Sequence, residues 1–280
     1  MPFVYTNIFS VSFAYILAYA NSHVKTLCEC FSNFICKNMV AFNCIGIDDT
    51  LDWARIQKLL KIGVFASILA MIGDLMLGWG VQDESLPGFF RMISAYTGTS
   101  DKQLFAVALL GLFDMTLEGL SFFGIYRLIA PKSPRYAHHY RSGIIGYLLF
   151  GPCGFHVTVC GIVFLYKHLL AAGVAQPEEL LSTYVHYFFL PAFILFWIFF
   201  FVLEGAHIIA FAKGKTPLPK WSFIFSMPFG LLLAKCVNVF GNHPIVNAID
   251  CAWIHIACLW TFAGLLIVTL TTAKKLGGNS

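Results

Sequence analysis

Apolar residues in this chain come in long runs that short polar strings interrupt. Six of these runs approach or exceed the ~18 residues that read as a membrane span. They lie at roughly 60–80, 103–128, 142–166, 185–211, 221–241 and 251–272. The polar strings between them are short, so consecutive helices are expected to return antiparallel and pack as one bundle. Open sheet is excluded for such segments, because backbone N–H and C=O groups in lipid must be satisfied within the segment. The expected fold is therefore all-α, an integral membrane helical bundle of six transmembrane helices over residues 55–275. A short tail, 276–280, follows it.

The first 54 residues fit this pattern less well. Met1 to Ala20 is apolar but carries Tyr5, Asn7 and Ser10, and no Lys or Arg precedes it. It lacks the basic start of a secretory signal. Two readings stand: a seventh span with its N-terminus outside, or an interfacial helix. A true start further downstream is a third alternative. Asp48, Asp49 and Asp52 mark a polar break before the bundle.

Composition agrees with the pattern. The 280 residues are 59% hydrophobic and 11% charged, against about 25% charged in soluble domains. The formal net charge of +4 comes from small Lys/Arg groups between the runs. No zinc-finger spacing, RNA-binding signature or long basic face is present, so nucleic acid is not an expected partner. The lipid bilayer is.

Loop charges give an orientation. Arg55, Lys58 and Lys61 precede the first span. Arg127, Lys132, Arg135 and Arg141 fill the second loop, Lys213, Lys215 and Lys220 the fourth, and Lys274 and Lys275 follow the last span. The first and third loops offset their basic residues with Asp83, Glu84 and Asp101, or Glu178 and Glu179. The fifth has none. The positive-inside rule puts both bundle ends in the cytoplasm, and a bacterial inner (plasma) membrane is the expected location. Trp53, Trp79, Trp221 and Trp253 sit at span ends, as an interfacial aromatic belt requires.

Of the nine cysteines, Cys153, Cys160, Cys236 and Cys258 lie in apolar runs and Cys251 at the edge of one, where they serve as small hydrophobes. Cys28, Cys30, Cys36 and Cys44 crowd the N-terminal segment. Their spacing matches no standard zinc pattern, so reduced thiols are the plainer reading.

Charge in a bilayer costs from ~3 to over 10 kcal/mol, yet the runs hold many ionisable groups. Asp114 and Glu118 are i,i+4 and share a face; Glu204 and His207 are i,i+3. With His156 they form an expected inner site, each a candidate catalytic residue. Glu118, His156, Glu204 and His207 are candidate metal ligands. Counting ~1.5 Å per residue from the span ends puts Asp74, Lys235, Asn238, His243, Asp250 and His255 in a second, outer polar cluster. There Asp74 is a natural partner for Lys235. The string Gly151-Pro152-Cys153-Gly154-Phe155-His156 predicts a kink one turn from His156, and Pro228 with Gly230 a similar break.

The strings Ile72-Gly73-Asp74-Leu75-Met76-Leu77-Gly78 and Leu117-Glu118-Gly119-Leu120-Ser121-Phe122-Phe123-Gly124-Ile125-Tyr126 resemble those of an uncharacterised bacterial polytopic membrane protein family of unknown function, over residues 56–275. The resemblance implies a polytopic fold and no activity. Acid and histidine content also invites comparison with intramembrane metal hydrolases of the alkaline ceramidase and progestin-receptor-like type. Those carry a late His-x-x-x-His, which His243, Asp250 and His255 do not reproduce.

Three functions fit these residues. The first is an intramembrane enzyme on a lipid or other hydrophobic small molecule, using carboxylate and imidazole as acid and base or holding a divalent metal. The second is a small proton-coupled transporter. The third is haem-based electron transfer with His156 and His207 or His255 as axial ligands. The sequence names no cofactor and no oligomeric state.

Overall fold

The computed structural model describes residues 51–277. The readings of residues 1–50, including the seventh helix and Cys28 to Cys44, lie outside the described residues. Among those described, every regular element is helical.

Helix α1 spans Trp53–Leu77 and begins where the Asp52 side chain accepts the Arg55 N–H at 2.9 Å. This is an N-cap that satisfies one orphan donor of the first turn. The short α2, Gly88–Ser94, lies in the following loop. Helix α3, Asp101–Ile129, starts under a Ser100 cap. Helix α4, Pro134–Phe150, runs through a π-helical stretch, Gly151–Val157, into α5, Thr158–Ala171. Helix α6, Pro177–Tyr184, runs through a second π-helical stretch, Val185–Phe189, into α7, Leu190–Ala212. Helix α8, Met227–Lys235, sits between 3-10 turns at Lys220–Phe225 and Cys236–Phe240. The short α9, Pro244–Cys251, leads into α10, Trp253–Gly277.

Five of these segments are long and apolar enough to cross a membrane: Trp53–Leu77, Asp101–Ile129, Pro134–Ala171, Pro177–Ala212 and Trp253–Lys274. This is compatible with an integral membrane protein. The expected run at 221–241 differs. It is divided into a 3-10 turn, a nine-residue helix and a second 3-10 turn, with Met227–Phe240 forming only a shorter apolar helix. The cause lies in Ser226-Met227-Pro228. Proline lacks an N–H and suits the first helical turn, so Pro228 opens α8 where a kink was expected. In the third run, where a kink was expected, the helix is interrupted by the π-helical stretch that begins at Gly151-Pro152.

The surface is apolar: Phe65, Phe105, Phe113, Leu149, Phe201 and Ile267 are all exposed. The interior holds Asp74, Asp114, Glu118, His156, Glu204, His207 and His255, all buried. A water-soluble fold distributes these classes the other way.

Glycines set the helix spacing. A Cβ on Gly143 would stand 2.7 Å from the Leu203 backbone on α7, and one on Gly63 would enter the Phe262 ring of α10 at 2.6 Å. Gly205 has open space around its Cβ position. Gly143→Ala should therefore separate α4 from α7 and lower stability by about 1–3 kcal/mol, as overpacking does. Gly205→Ala should be neutral or stabilising. Unfolding midpoints of both variants in one detergent check the contrast.

Candidate functional site

Helices α1 and α3 run antiparallel, since Gly73 meets Leu110 while Gly124 meets Leu59. A helical Cα–Cβ bond tilts toward its own N-terminus. Asp74 on α1 and Glu118 on α3 therefore lean toward each other from opposite ends. His255 of α10 fills the space between. Its Nδ1 lies 3.1 and 3.2 Å from the two Glu118 oxygens, and its Nε2 lies 3.5 Å from Asp74 Oδ2. Glu118 also accepts from Ser67 Oγ of α1 at 2.8 Å and from Tyr147 Oη of α4 at 2.8 Å. Three helices thus converge on one carboxylate of the fourth.

His156 completes the group. The π-helical stretch turns its ring toward α3, and Gly111 provides the seat: a Cβ there would stand 1.9 Å from the ring. Its Nε2 lies 3.2 Å from the Val107 carbonyl oxygen, and its Nδ1 lies 3.9 Å from Asp74 Oδ1.

The Val107 carbonyl only accepts, so the hydrogen of that contact is on His156 Nε2 and His156 Nδ1 faces Asp74. His255 has a carboxylate against each ring nitrogen: a neutral ring with its Nδ1–H on Glu118 turns an Nε2 lone pair toward Asp74, and a protonated ring donates to both. One donor atom from each of Asp74, His156 and His255 then lies within 4.8 Å of the other two. Ligands of a tetrahedral ion at ~2.0–2.1 Å stand about 3.3 Å apart, so the triad would have to draw in, by up to about 1.5 Å for its widest pair, around such an ion. Metal-ligating histidines characteristically donate their other N–H to a carboxylate or a backbone carbonyl, and both rings here face such an acceptor.

Asp114 lies one turn before Glu118, is fully buried, and neither of its oxygens has a hydrogen-bond partner within the described protein. The charges of His255, Glu118 and Asp74 all act on it. Three carboxylates thus share one sealed region with two imidazoles.

The expected inner and outer groups are divided differently. Glu118, His156 and Asp114 sit with Asp74 and His255, which residue counting had placed in the outer cluster. Glu204 and His207 form a separate buried pair, with Oε2 and Nδ1 3.7 Å apart. Lys235 pairs with Asp250, and Asp74 is not its partner. Asn238 Nδ2 also donates to Asp250 at 2.8 Å, and the Lys235 ammonium lies 4.2 Å above the Trp253 ring. His243 is exposed just before α9. For haem, Asp74 stands against both His156 and His255, where a porphyrin between the rings would have to lie. Ser67, Tyr147 and Gly111 were not singled out from the sequence. Ser67 lies seven residues before Asp74, on the same face, and that spacing was a readable signal.

A profile of the DUF6796 family of unknown function matches residues 36–272. The chain belongs to DUF6796. No curated protein and no solved structure matches it. In this DUF6796 chain the matched region takes in all of the buried acids and histidines described above.

Removing one partner of a buried charge pair costs about 3–5 kcal/mol, and a hydrogen bond to a charged group contributes about 1.5–3. Glu118→Gln should therefore destabilise the chain by more than Tyr147→Phe does. Equal losses in reversible unfolding would mean that the carboxylate charge is not the centre of the network.

Proposed function

We propose that this DUF6796 protein is an intramembrane metal-dependent enzyme whose ion is held by Asp74, His156 and His255. The observation that carries the reading is the arrangement of the two imidazoles. Each has its far nitrogen tied to a protein acceptor, and each presents its near nitrogen to the same carboxylate. Charge supports it as well. Asp74, Asp114 and Glu118 gather three carboxyl groups away from water, where keeping all of them ionised is costly, and a divalent cation offsets that cost.

Two imidazoles and one carboxylate leave a coordination position open, the mark of catalytic rather than structural sites. Asp74 and His156 retain slight exposure, 8% and 9% of their side chains, while Glu118 has none. Access would therefore be from the side of Asp74 and His156, with the Glu118 carboxylate on the sealed side. An ion there would polarise an ester or amide carbonyl and activate water against it. Asp114, whose oxygens have no hydrogen-bond partner among the described residues, would take the proton that the water releases and pass it to the leaving oxygen or nitrogen. A lipid or comparable hydrophobic molecule is the proposed substrate class, because the surface around the bundle is apolar.

The protein is proposed to be embedded in the plasma membrane with six crossings. Met227–Phe240 and its flanking turns would complete the sixth, and the ends bearing Arg55 and Lys274 would face the cytoplasm. A second reading, proton-coupled transport, is favoured by the same His255. A protonated ring between Glu118 and Asp74 would make a bridge whose charge changes with pH.

Elemental analysis of the detergent-purified full-length protein tests the proposal. About one zinc, iron or manganese ion per chain is expected. Asp74→Asn, His156→Ala and His255→Ala should each abolish it, and His207→Ala should leave it in place. Glu118→Gln should weaken the site 10–100-fold, as loss of an orienting partner does. Absence of metal from the native protein would sink the enzyme reading. Proton-gradient-dependent uptake in proteoliposomes would then support the carrier.

A further inference from the structure

The two ends of the bundle hold their charges differently. At one end Arg91 pairs with Glu84, Lys167 with Asp101 and Lys235 with Asp250. At the other, Lys132, Arg135, Lys213, Lys215 and Lys220 are all exposed. None of these five has an acidic partner among the described residues. Their own stretches of chain supply none, since residues 119–177 and 205–249 contain no Asp and, apart from these limits, no Glu.

Two loops are drawn together there. The Lys132 ammonium donates to the Thr216 carbonyl oxygen at 3.1 Å, and the Lys213 ammonium donates to Tyr136 Oη at 3.2 Å. The loop after α7 turns at Gly214, whose φ of 68° is one that glycine adopts without cost. The Lys220 stem folds back against that turn, for a Cβ on Gly214 would stand 3.0 Å from Lys220 Cε. Four lysines thus meet at one short turn, and Arg135 faces it from the residue before Tyr136.

A cation at the C-terminus of α7 complements the helix dipole, which accounts for Lys213 alone. The other like charges repel one another, and no carboxylate offsets them. A phosphate group does so well, because its oxygens accept from several ammonium and guanidinium groups at once. The surroundings favour a phosphate that belongs to a lipid. Lys132, Arg135, Lys213 and Lys215 lie within three residues of the ends of segments apolar enough to cross a membrane. Ile209, one turn before Lys213, and Trp221, next to Lys220, are exposed. Acyl chains gain contact with that apolar surface while the headgroup meets the cations, and a free phosphate gains nothing from it.

We propose that Lys132, Arg135, Lys213, Lys215 and Lys220 bind the phosphate headgroup of an anionic phospholipid. The site rests on the membrane embedding proposed above and not on the ion at Asp74. Each basic group at such a surface strengthens binding to anionic lipid about fivefold.

Native mass spectrometry of the full-length protein in detergent, titrated with phosphatidylglycerol and separately with phosphatidylcholine, tests the proposal. Phosphatidylglycerol should bind more tightly, by about tenfold or more. Lys215→Gln combined with Lys220→Gln should weaken it about 25-fold, two steps of about fivefold, and leave phosphatidylcholine unchanged. Lys215→Arg with Lys220→Arg should keep the preference, and so should Lys102→Gln, which removes an exposed lysine at the opposite end. Equal binding of the two lipids, or an unchanged preference in the glutamine variant, would overturn the site. Displacement of phosphatidylglycerol by inorganic phosphate at equal concentration would overturn it in favour of a soluble anion. A chain that stays in solution without detergent would remove the membrane reading itself, whereas one that needs detergent and does not distinguish the lipids removes this site alone.

Discussion

One imidazole ties the interior together. His255 meets Glu118 through one ring nitrogen and Asp74 through the other, and Glu118 in turn draws hydroxyls from α1 and α4. An apolar surface gives helices in lipid little reason to associate, since lipid tails are as apolar as the side chains. Directional contacts must then supply register. A single carboxylate reached from three other helices does so, because sliding any of them by one turn breaks its contact.

The packing serves that centre. Gly111 leaves room for the His156 ring, and the π-helical stretch at Gly151–Val157 aims it there. A regular α-helix through the same residues would send His156 along a different radial direction. The wider turn fits a common pattern, in which π-bulges recur at functional sites because they re-aim one side chain while keeping the helix intact. Gly143 and Gly146 then admit Leu203 and Phe199 of α7 close to α4. That approach holds Tyr140 beside His207 of α7, and the same face of α4 carries Tyr147 to Glu118 of α3.

Much of this was legible in the sequence, and the gaps have physical causes. The long apolar runs marked five helices capable of crossing a membrane, and the strings around Asp74 and Glu118 indicated a family of unknown function. The fifth run, 221–241, is divided in a way its hydropathy does not register, because hydropathy is blind to where a chain breaks its hydrogen-bond ladder, as it does at Ser226 and Pro228. Every buried acid and histidine of the centre could be named from its position in an apolar run. Their grouping could not be read by counting residues from span ends. Counting locates Cα atoms, whereas Asp74 and Glu118 lean toward each other along antiparallel axes, and a ring fills the remaining gap. The Lys235–Asp250 pair was hidden for a related reason. Asp250 lies on a separate short helix, α9, which ends before α10 begins and turns the carboxylate back toward Lys235.

Electrostatics separates the two buried groups. At Asp74, Asp114 and Glu118 three carboxyl groups stand with two imidazoles, so acids outnumber bases. At Glu204 a single carboxyl group lies 3.7 Å from a single imidazole and accepts the first N–H of α8, so the two kinds are matched. Away from water an unmatched charge is costly and a matched pair less so. The first group therefore offers a cation more than the second does, and that difference is why the proposed ion is assigned to Asp74, His156 and His255 rather than to Glu204 and His207.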